Sequence, residues 1–570
     1  MKQNSPNDDI SEKEYNTEVE ELDTSRWQRF KDSFKGADLS HLKKDCLTHV
    51  ERAALATAND PLTRRLKSRH LQMIAIGGSI GTGLFVGSGS TLHSGGPAAL
   101  VIGYGIIGIM LYCTVQALGE LAVTFPVSGA FSTFSTRFID PAWGFAMGWN
   151  YGMEWLCTFP LELVAASITM KYWDLDISPA VWVTIFYVVV LIINLFGVKG
   201  YGEAEFAFSI IKVIAVIGFI ILGIVINCGG GPHGGYIGDK YWHDPGAFAN
   251  SFKGVATVFV NAAFAFTGTE LVGLAAAETA NPRKSLPSAT KQVFWRITLF
   301  YMISLTVVGF IVPYTDSQLM GSSSVDASAS PFVIAIENAG IKVLPTIVNV
   351  VILIAVLSVG NSCVYACSRT LVALASQGFA PRPFAFVDRA GRPMVCIAFV
   401  MLFGLLSYLA VYPKQDVIFN WLLSLTGLSL IFTWGSICVC HIRFRRALQF
   451  QGRTTDELPY TSTVGVIGSW IGLIINCVVL VAQFWIALFP IGEDPNPSTF
   501  FQKYLAAPVV LAFYLFWKFY KKTPFVHIQE IDVDTGRRDL DHDLIRQEMA
   551  EERERANAKG WWYKVYKFFC

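Results

Sequence analysis

Glu154, Glu162, Lys212 and Glu270 are ionisable side chains inside long apolar runs of this sequence. An ionisable group costs several kcal/mol inside a bilayer unless it is paired or hydrated, so each is a candidate for gripping a charged solute or moving an ion. Lys212 lies about nine residues into its run, on the order of 13 Å at 1.5 Å rise per residue, too deep for its ammonium to snorkel easily to the interface. An ammonium at that depth suits a group that gains and loses a proton in a cycle; a static cross-helix link is the competing reading. Glu120 lies nearer the end of its run, where a structural or gating role fits.

Glycine supplies the second chemical signal. The run Gly77-Gly78-Ser79-Ile80-Gly81-Thr82-Gly83 lies inside an apolar stretch, where each glycine disfavours helix by about 1 kcal/mol. In lipid, freed backbone groups are tolerated only where they line a cavity or find new partners. A helix broken here exposes N–H groups at the positive end of a half-helix, a fit for a carboxylate. Close helix packing through small residues is the alternative. A nucleotide-binding glycine loop is disfavoured, because neither a preceding strand nor a βαβ frame accompanies it. A counterpart follows in Phe264-Ala265-Phe266-Thr267-Gly268-Thr269-Glu270. Carbonyls unwound there would accept from an ammonium, so the ligand inferred from the pair of breaks is zwitterionic. Phe266 either covers that ligand as an aromatic lid or fills space.

The elements that must position these residues are membrane helices. The 570 residues are 52% hydrophobic and 16% charged, against roughly 25% charged in soluble domains. A span needs about 20 mostly apolar residues. Runs at 71–92, 98–124, 144–170, 179–198, 204–227, 253–278, 291–313, 344–372, 394–412, 417–440, 464–489 and 502–520 predict an all-α polytopic membrane protein of about 12 transmembrane helices. The breaks then fall in the first and sixth helices, as a 5+5 inverted repeat produces, with the site between them near the midplane.

Three connections rich in Arg, those holding Arg283, then Arg382, Arg389 and Arg392, then Arg443, Arg445, Arg446 and Arg453, fall on the side of both tails. The opposite connections hold scattered lysines, so the tails are expected in the cytoplasm. Residues 1–70 read as a cytoplasmic regulatory tail, largely disordered with short helical pieces, 71–520 as the transport domain and 521–570 as a C-terminal tail. A net charge of +1 offers no basic field for nucleic acid. The eleven cysteines fall mainly in apolar runs, with no disulfide framework and no zinc spacing. No cofactor, metal or Ser/His/Asp constellation is indicated, which argues against an enzyme. Cys570, after basic and aromatic residues that suit an interface, is a candidate for S-acylation, with a solvated tail as the plainer reading.

With those residues in place, the sequence resembles the fungal amino acid permeases of the amino acid-polyamine-organocation superfamily, and within them the general amino acid permeases. The resemblance rests on Gly77 to Leu84, Ser94-Gly95-Gly96-Pro97, Ala117-Leu118-Gly119-Glu120, Phe196 to Glu203, Phe266 to Glu270, Glu278 with Pro282-Arg283-Lys284-Ser285, and Ser358 to Ser362. It implies a leucine-transporter-like fold, proton symport of L-amino acids and a plasma-membrane location, with passage to endosome and vacuole on down-regulation. It further implies that Gly78, Ser79, Gly81, Thr82 and Gly83 hold the substrate carboxylate. Phe266, Thr267 and Gly268 would hold its amino group. Glu270 would brace or couple the site, and Lys212 would match a fifth-helix lysine used in proton coupling. An amide is expected at the position of Glu154, so a carboxylate there tilts specificity toward cationic substrates. Cys570 matches a palmitoylated cysteine, and Lys2 and Lys13 are candidate ubiquitin sites for a ligase and its adaptor. A narrower permease for basic or neutral amino acids and a permease-like nutrient sensor are the alternatives; family sensors carry a longer N-terminal extension.

Overall fold

The computed structural model describes residues 33–36, 48–58, 62, 66–78, 80–127, 129–279, 282–320, 330–411, 426–492 and 494–537. Ser79, Lys2, Lys13 and Cys570 lie outside the described residues. Among those described, the fold is helical, and extended pairing is limited to two isolated bridges, Gly36 with Asp388 and Leu66 with Thr279.

Helical units occupy all twelve apolar runs. Five are single helices long and apolar enough to cross a bilayer: Gly87–Thr124, Gly197–Asn227, Ser285–Ile311, Leu344–Ser376 and Gly465–Leu488. A sixth is the pair Pro497–Tyr504 and Ala506–Lys521, bent by 67°. The run expected as one straight span over 502–520 therefore turns at Leu505. The others are Ser68–Gly77 with Thr82–Phe85, Pro141–Thr169, Pro179–Leu195, Ser251–Ala265 with Leu271–Leu274, Met394–Gly404, and Ser429–Phe450. The helix of the tenth run extends past the expected end at residue 440 to Phe450, and residues 412–425 lie outside the description.

The packing is that of a protein solvated by lipid. On the fifth helix, Ile210, Ile214, Ile217, Ile221 and Ile224 are exposed along one stripe, while Ser209, Lys212, Val216, Phe219 and Gly223 are buried on the other. Spacings of three and four residues put each set on one face. Without water to solvate them, polar side chains turn inward, where other helices supply partners.

Two local devices shape the first half of the bundle. Gly96, at φ 84°, kinks the helix Gly87–Thr124, a conformation that costs glycine nothing and other residues strain. A Cβ there would also stand 2.8 Å from the Ala247 carbonyl oxygen. Asp140 caps the third helix by accepting from the Ala142 N–H at 2.8 Å, and it pairs with Lys518 of the twelfth.

Both tails meet one end of the bundle. The helix His49–Ala58 docks through His49, whose Nδ1 lies 3.1 Å from the Gln377 carbonyl and whose ring stacks on Phe379. Beyond the twelfth helix, the Val526 N–H donates to the Ile139 carbonyl at 3.0 Å and Arg137 donates to the Asp532 carbonyl at 3.0 Å. The described parts of the tails are thus packed against the transport domain rather than loose as the polar composition suggests.

Candidate functional site

The first span is two helices. Ser68–Gly77 ends when the Gly78 N–H closes its last bond to the Ile74 carbonyl, and Thr82–Phe85 restarts with an extended Gly81, φ −149° and ψ −151°. The glycines serve both readings that the sequence left open. A Cβ on Gly83 would lie 2.4 Å from the Ala265 Cα, and one on Gly77 2.8 Å from the Ser209 Cα, so these two let the sixth and fifth helices approach to backbone contact. Thr82 and Gly83 form the first turn of the restarted helix, where N–H groups have no acceptor within the helix. The Thr82 hydroxyl is engaged: it donates to Glu162 Oε2 at 2.5 Å.

The sixth span breaks opposite. Ser251–Ala265 gives way to turns at Phe266–Glu270, with Gly268 at φ 90°, before Leu271–Leu274 resumes. The Phe266 ring is fully buried and packs on Tyr301 at 4.2 Å and Tyr104 at 5.9 Å. Glu270 folds back to accept from the Gly268 N–H at 3.2 Å and takes the Tyr151 hydroxyl of the third span at 3.3 Å.

Near this turn Thr267 Oγ1 and both carboxylate oxygens of Glu154 are buried without a protein partner, while the Trp434 indole hydrogen-bonds to Glu270. Glu154 interacts electrostatically with Glu270. Leaving one such atom unmade costs about 1–3 kcal/mol, more for a charge, so a cluster of acceptors marks where a positively charged hydrogen-bond donor belongs. The first break contributes donors and the sixth contributes acceptors, the polarity that an amino acid backbone requires.

Lys212 sits to one side of this site. Its Nζ donates to Ser358 Oγ of the eighth span at 2.8 Å and stands 3.4 Å from Glu205 Oε1, and Ser358 in turn donates to Glu205 Oε2 at 2.6 Å. Ser209 donates to both Glu205 and the Met73 carbonyl, joining the triad to the first span. Sequence reading missed Glu205, although its separation of seven residues from Lys212 places both on one helical face.

At the tail-bearing end, Arg369 pairs with Glu278 through two contacts of 3.2 and 3.3 Å and lies over the Tyr365 ring, which stacks on Tyr201 at 4.1 Å. The Leu66 N–H donates to the Glu278 carbonyl at 3.0 Å, tying the entry of the first span to the exit of the sixth. Glu120 is clamped at its end of the second span: it accepts from Arg445 Nη2 and from the Ser462 N–H, each at 2.7 Å, and lies in ion-pair contact with Arg445 Nε at 2.6 Å and His441 Nε2 at 3.0 Å.

The amino acid permease family model matches residues 70–530. General amino-acid permease GAP2 of Candida albicans is 62% identical over 95% of this chain and 93% of its own length. General amino-acid permease GAP1 of Saccharomyces cerevisiae is 57% identical over 96% and 92%, respectively. Among solved structures, a manganese transporter of Eremococcus coleocola aligns with 86% of this chain and 97% of its own, at 13% identity and a TM-score of 0.49.

Proposed function

The chain belongs to the amino acid permease family, and from that premise we propose that it is a broad-specificity importer of L-amino acids driven by proton symport. One observation supports the site most directly. The broken first and sixth spans pack together at Gly83 and Ala265, with the Thr82 and Gly83 N–H groups at a helix start and Thr267 Oγ1 and both Glu154 oxygens lacking protein partners. The substrate carboxylate is held at the restarted first helix by Gly81, Thr82 and Gly83, with Gly78 and Ser79 completing the break. The ammonium is held by the turn at Phe266, Thr267 and Gly268 with Glu270 behind it. These groups touch only the part common to all amino acids, which is how one site serves many side chains.

Coupling is assigned to Lys212 with Glu205 and Ser358, whose hydrogen-bonded chain reaches the first span through Ser209. A proton entering with about 100 mV supplies roughly 2.3 kcal/mol, and each pH unit about 1.4 kcal/mol. Two units and that voltage give about 5 kcal/mol, accumulation on the order of a thousandfold or more. The protein resides in the plasma membrane with both tails in the cytoplasm, where Lys2 and Lys13 serve a ubiquitin ligase with its adaptor and Cys570 takes an acyl chain. Down-regulation would carry it to endosome and vacuole.

Uptake of labelled amino acids in a permease-deficient cell, with and without a protonophore, tests this reading. Saturable uptake of several chemically different amino acids, collapsing with the protonophore and with Lys212→Met, is expected. Uptake indifferent to the protonophore would remove proton coupling, and uptake confined to one side-chain class would remove breadth. A tilt toward cationic amino acids is a second reading, favoured by Glu154, whose carboxylate has no protein partner.

A further inference from the structure

The seventh span is not a uniform helix. Pro282–Trp295 passes into a π-helical stretch at Arg296–Ile303 before Ser304–Ile311 continues, and such stretches recur at functional sites. Its first residue, Arg296, is fully buried and makes no salt bridge among the described residues. Nη1 donates to the Ala75 carbonyl at 2.7 Å, Nη2 donates to Thr269 Oγ1, and Nε is without a partner. Glu270 is near enough to interact with it electrostatically but forms no direct pair, and a guanidinium buried without a direct ion pair costs several kcal/mol, which marks it as functional by default.

Both acceptors belong to the helix breaks. In a continuous helix the Ala75 carbonyl would bond to residue 79, but the helix ends at Gly77. Arg296 therefore caps a C-terminal half-helix end, where a cation is favoured. Thr269 lies in the sixth-span turn, and its hydroxyl passes the link on to the Phe266 carbonyl at 2.6 Å. Five residues along the same π-helical stretch, Tyr301 donates to the Ala265 carbonyl at 2.7 Å, the last residue before the sixth-span break, and packs on Phe266.

We propose that this stretch is a clasp in which Arg296 is a positioning residue, holding the end of the first half-helix and the sixth-span turn as one unit. What substrate does at Phe266–Thr269 is thereby transmitted to the first span, and the bonds of Arg296 must rearrange when the tail-side end opens. The inference rests on the transport reading above, that substrate sits between the two breaks. It requires Arg296 to act on turnover rather than on binding, since it touches protein groups and not the proposed substrate groups.

The test uses the full chain reconstituted in vesicles, comparing Arg296→Lys, Thr269→Val and the double variant with the unaltered protein. Equilibrium binding of a labelled amino acid, maximal exchange and proton-driven uptake are each measured per folded carrier. Arg296→Lys keeps a charge and one bond, so binding within about threefold of the parent is expected, with maximal exchange reduced roughly tenfold or more. Thr269→Val is expected to lower exchange similarly, and the double variant to be little worse than either alone, because both remove one link. Unchanged exchange in Arg296→Lys, strictly multiplicative losses, or a loss of binding that matches the loss of rate would each overturn the proposal. Failure of proton-driven uptake in the unaltered protein would instead count against symport, because exchange needs no gradient.

Discussion

At the scale of single residues, buried charge separates into two kinds. Glu120, Glu278 and Glu205 are each satisfied by cations or hydroxyls from other helices, so their desolvation is offset within the protein. Glu154 is the opposite: buried, beside Glu270, with neither oxygen satisfied. That imbalance is what a cationic side chain would correct. Glu154→Gln is expected to lower the preference for lysine or arginine over a neutral amino acid by roughly tenfold, about the 1.4 kcal/mol of one modest charge-assisted contact. The ratio of kcat/KM values measures this; an unchanged ratio would place Glu154 outside the specificity site. Glu154, Glu162 and Glu270 were legible in the sequence because charge in lipid is conspicuous, whereas Glu205, close to the start of its run, was missed. The partners of Glu120, Glu205 and Glu278 were not legible, since Arg445, Ser358 and Arg369 approach from helices distant along the chain.

At the scale of elements, two interrupted helices are built from one chemical exception, glycine. Gly83 faces the Ala265 backbone so closely that a Cβ would stand 2.4 Å from its Cα, whereas a Cβ on Gly87 meets nothing nearer than 3.8 Å. Overpacking against backbone costs about 1–3 kcal/mol or more because nothing there can rotate away. Gly83→Ala is therefore expected to reduce uptake at least tenfold per cell, through less folded carrier or slower turnover, while Gly87→Ala stays within about twofold. Equal per-cell uptake by the two variants would refute the close-approach account. The breaks were legible from clustered Gly, Ser and Thr, yet the kink at Gly96 and the 67° bend at Leu505 were not. Both depend on what each turn packs against.

At the scale of the whole molecule, the tails fasten helices to one another. Asp140 links the third and twelfth spans through Lys518, and the segment after the twelfth crosses to Arg137 and Arg453. Arg453, hydrogen-bonded to Glu457, holds that carboxyl below its ordinary range. A carboxyl lowered by folding stabilises the docked tail at neutral pH, and the contribution disappears as pH falls through the lowered value. The pair is partly exposed, so the effect is modest. Glu457→Gln is expected to raise tryptic cleavage after Arg537 about threefold at neutral pH and to flatten its rise on acidification; an unaltered cleavage profile would show that this pair does not hold the tail.

The sequence by itself determined that the chain is a polytopic helical membrane protein and that its first and sixth apolar runs are broken, from which the zwitterionic ligand is proposed. Hydropathy and backbone propensity are local quantities, and lipid punishes every exception to them. Only the tertiary structure decided which exceptions are satisfied and which are left open: Lys212 answered by Ser358, Thr82 by Glu162, both breaks gathered by Arg296, and Glu154 without a partner. Pairing is a property of distance in space, and no spacing along one helix reports what the neighbouring helix presents.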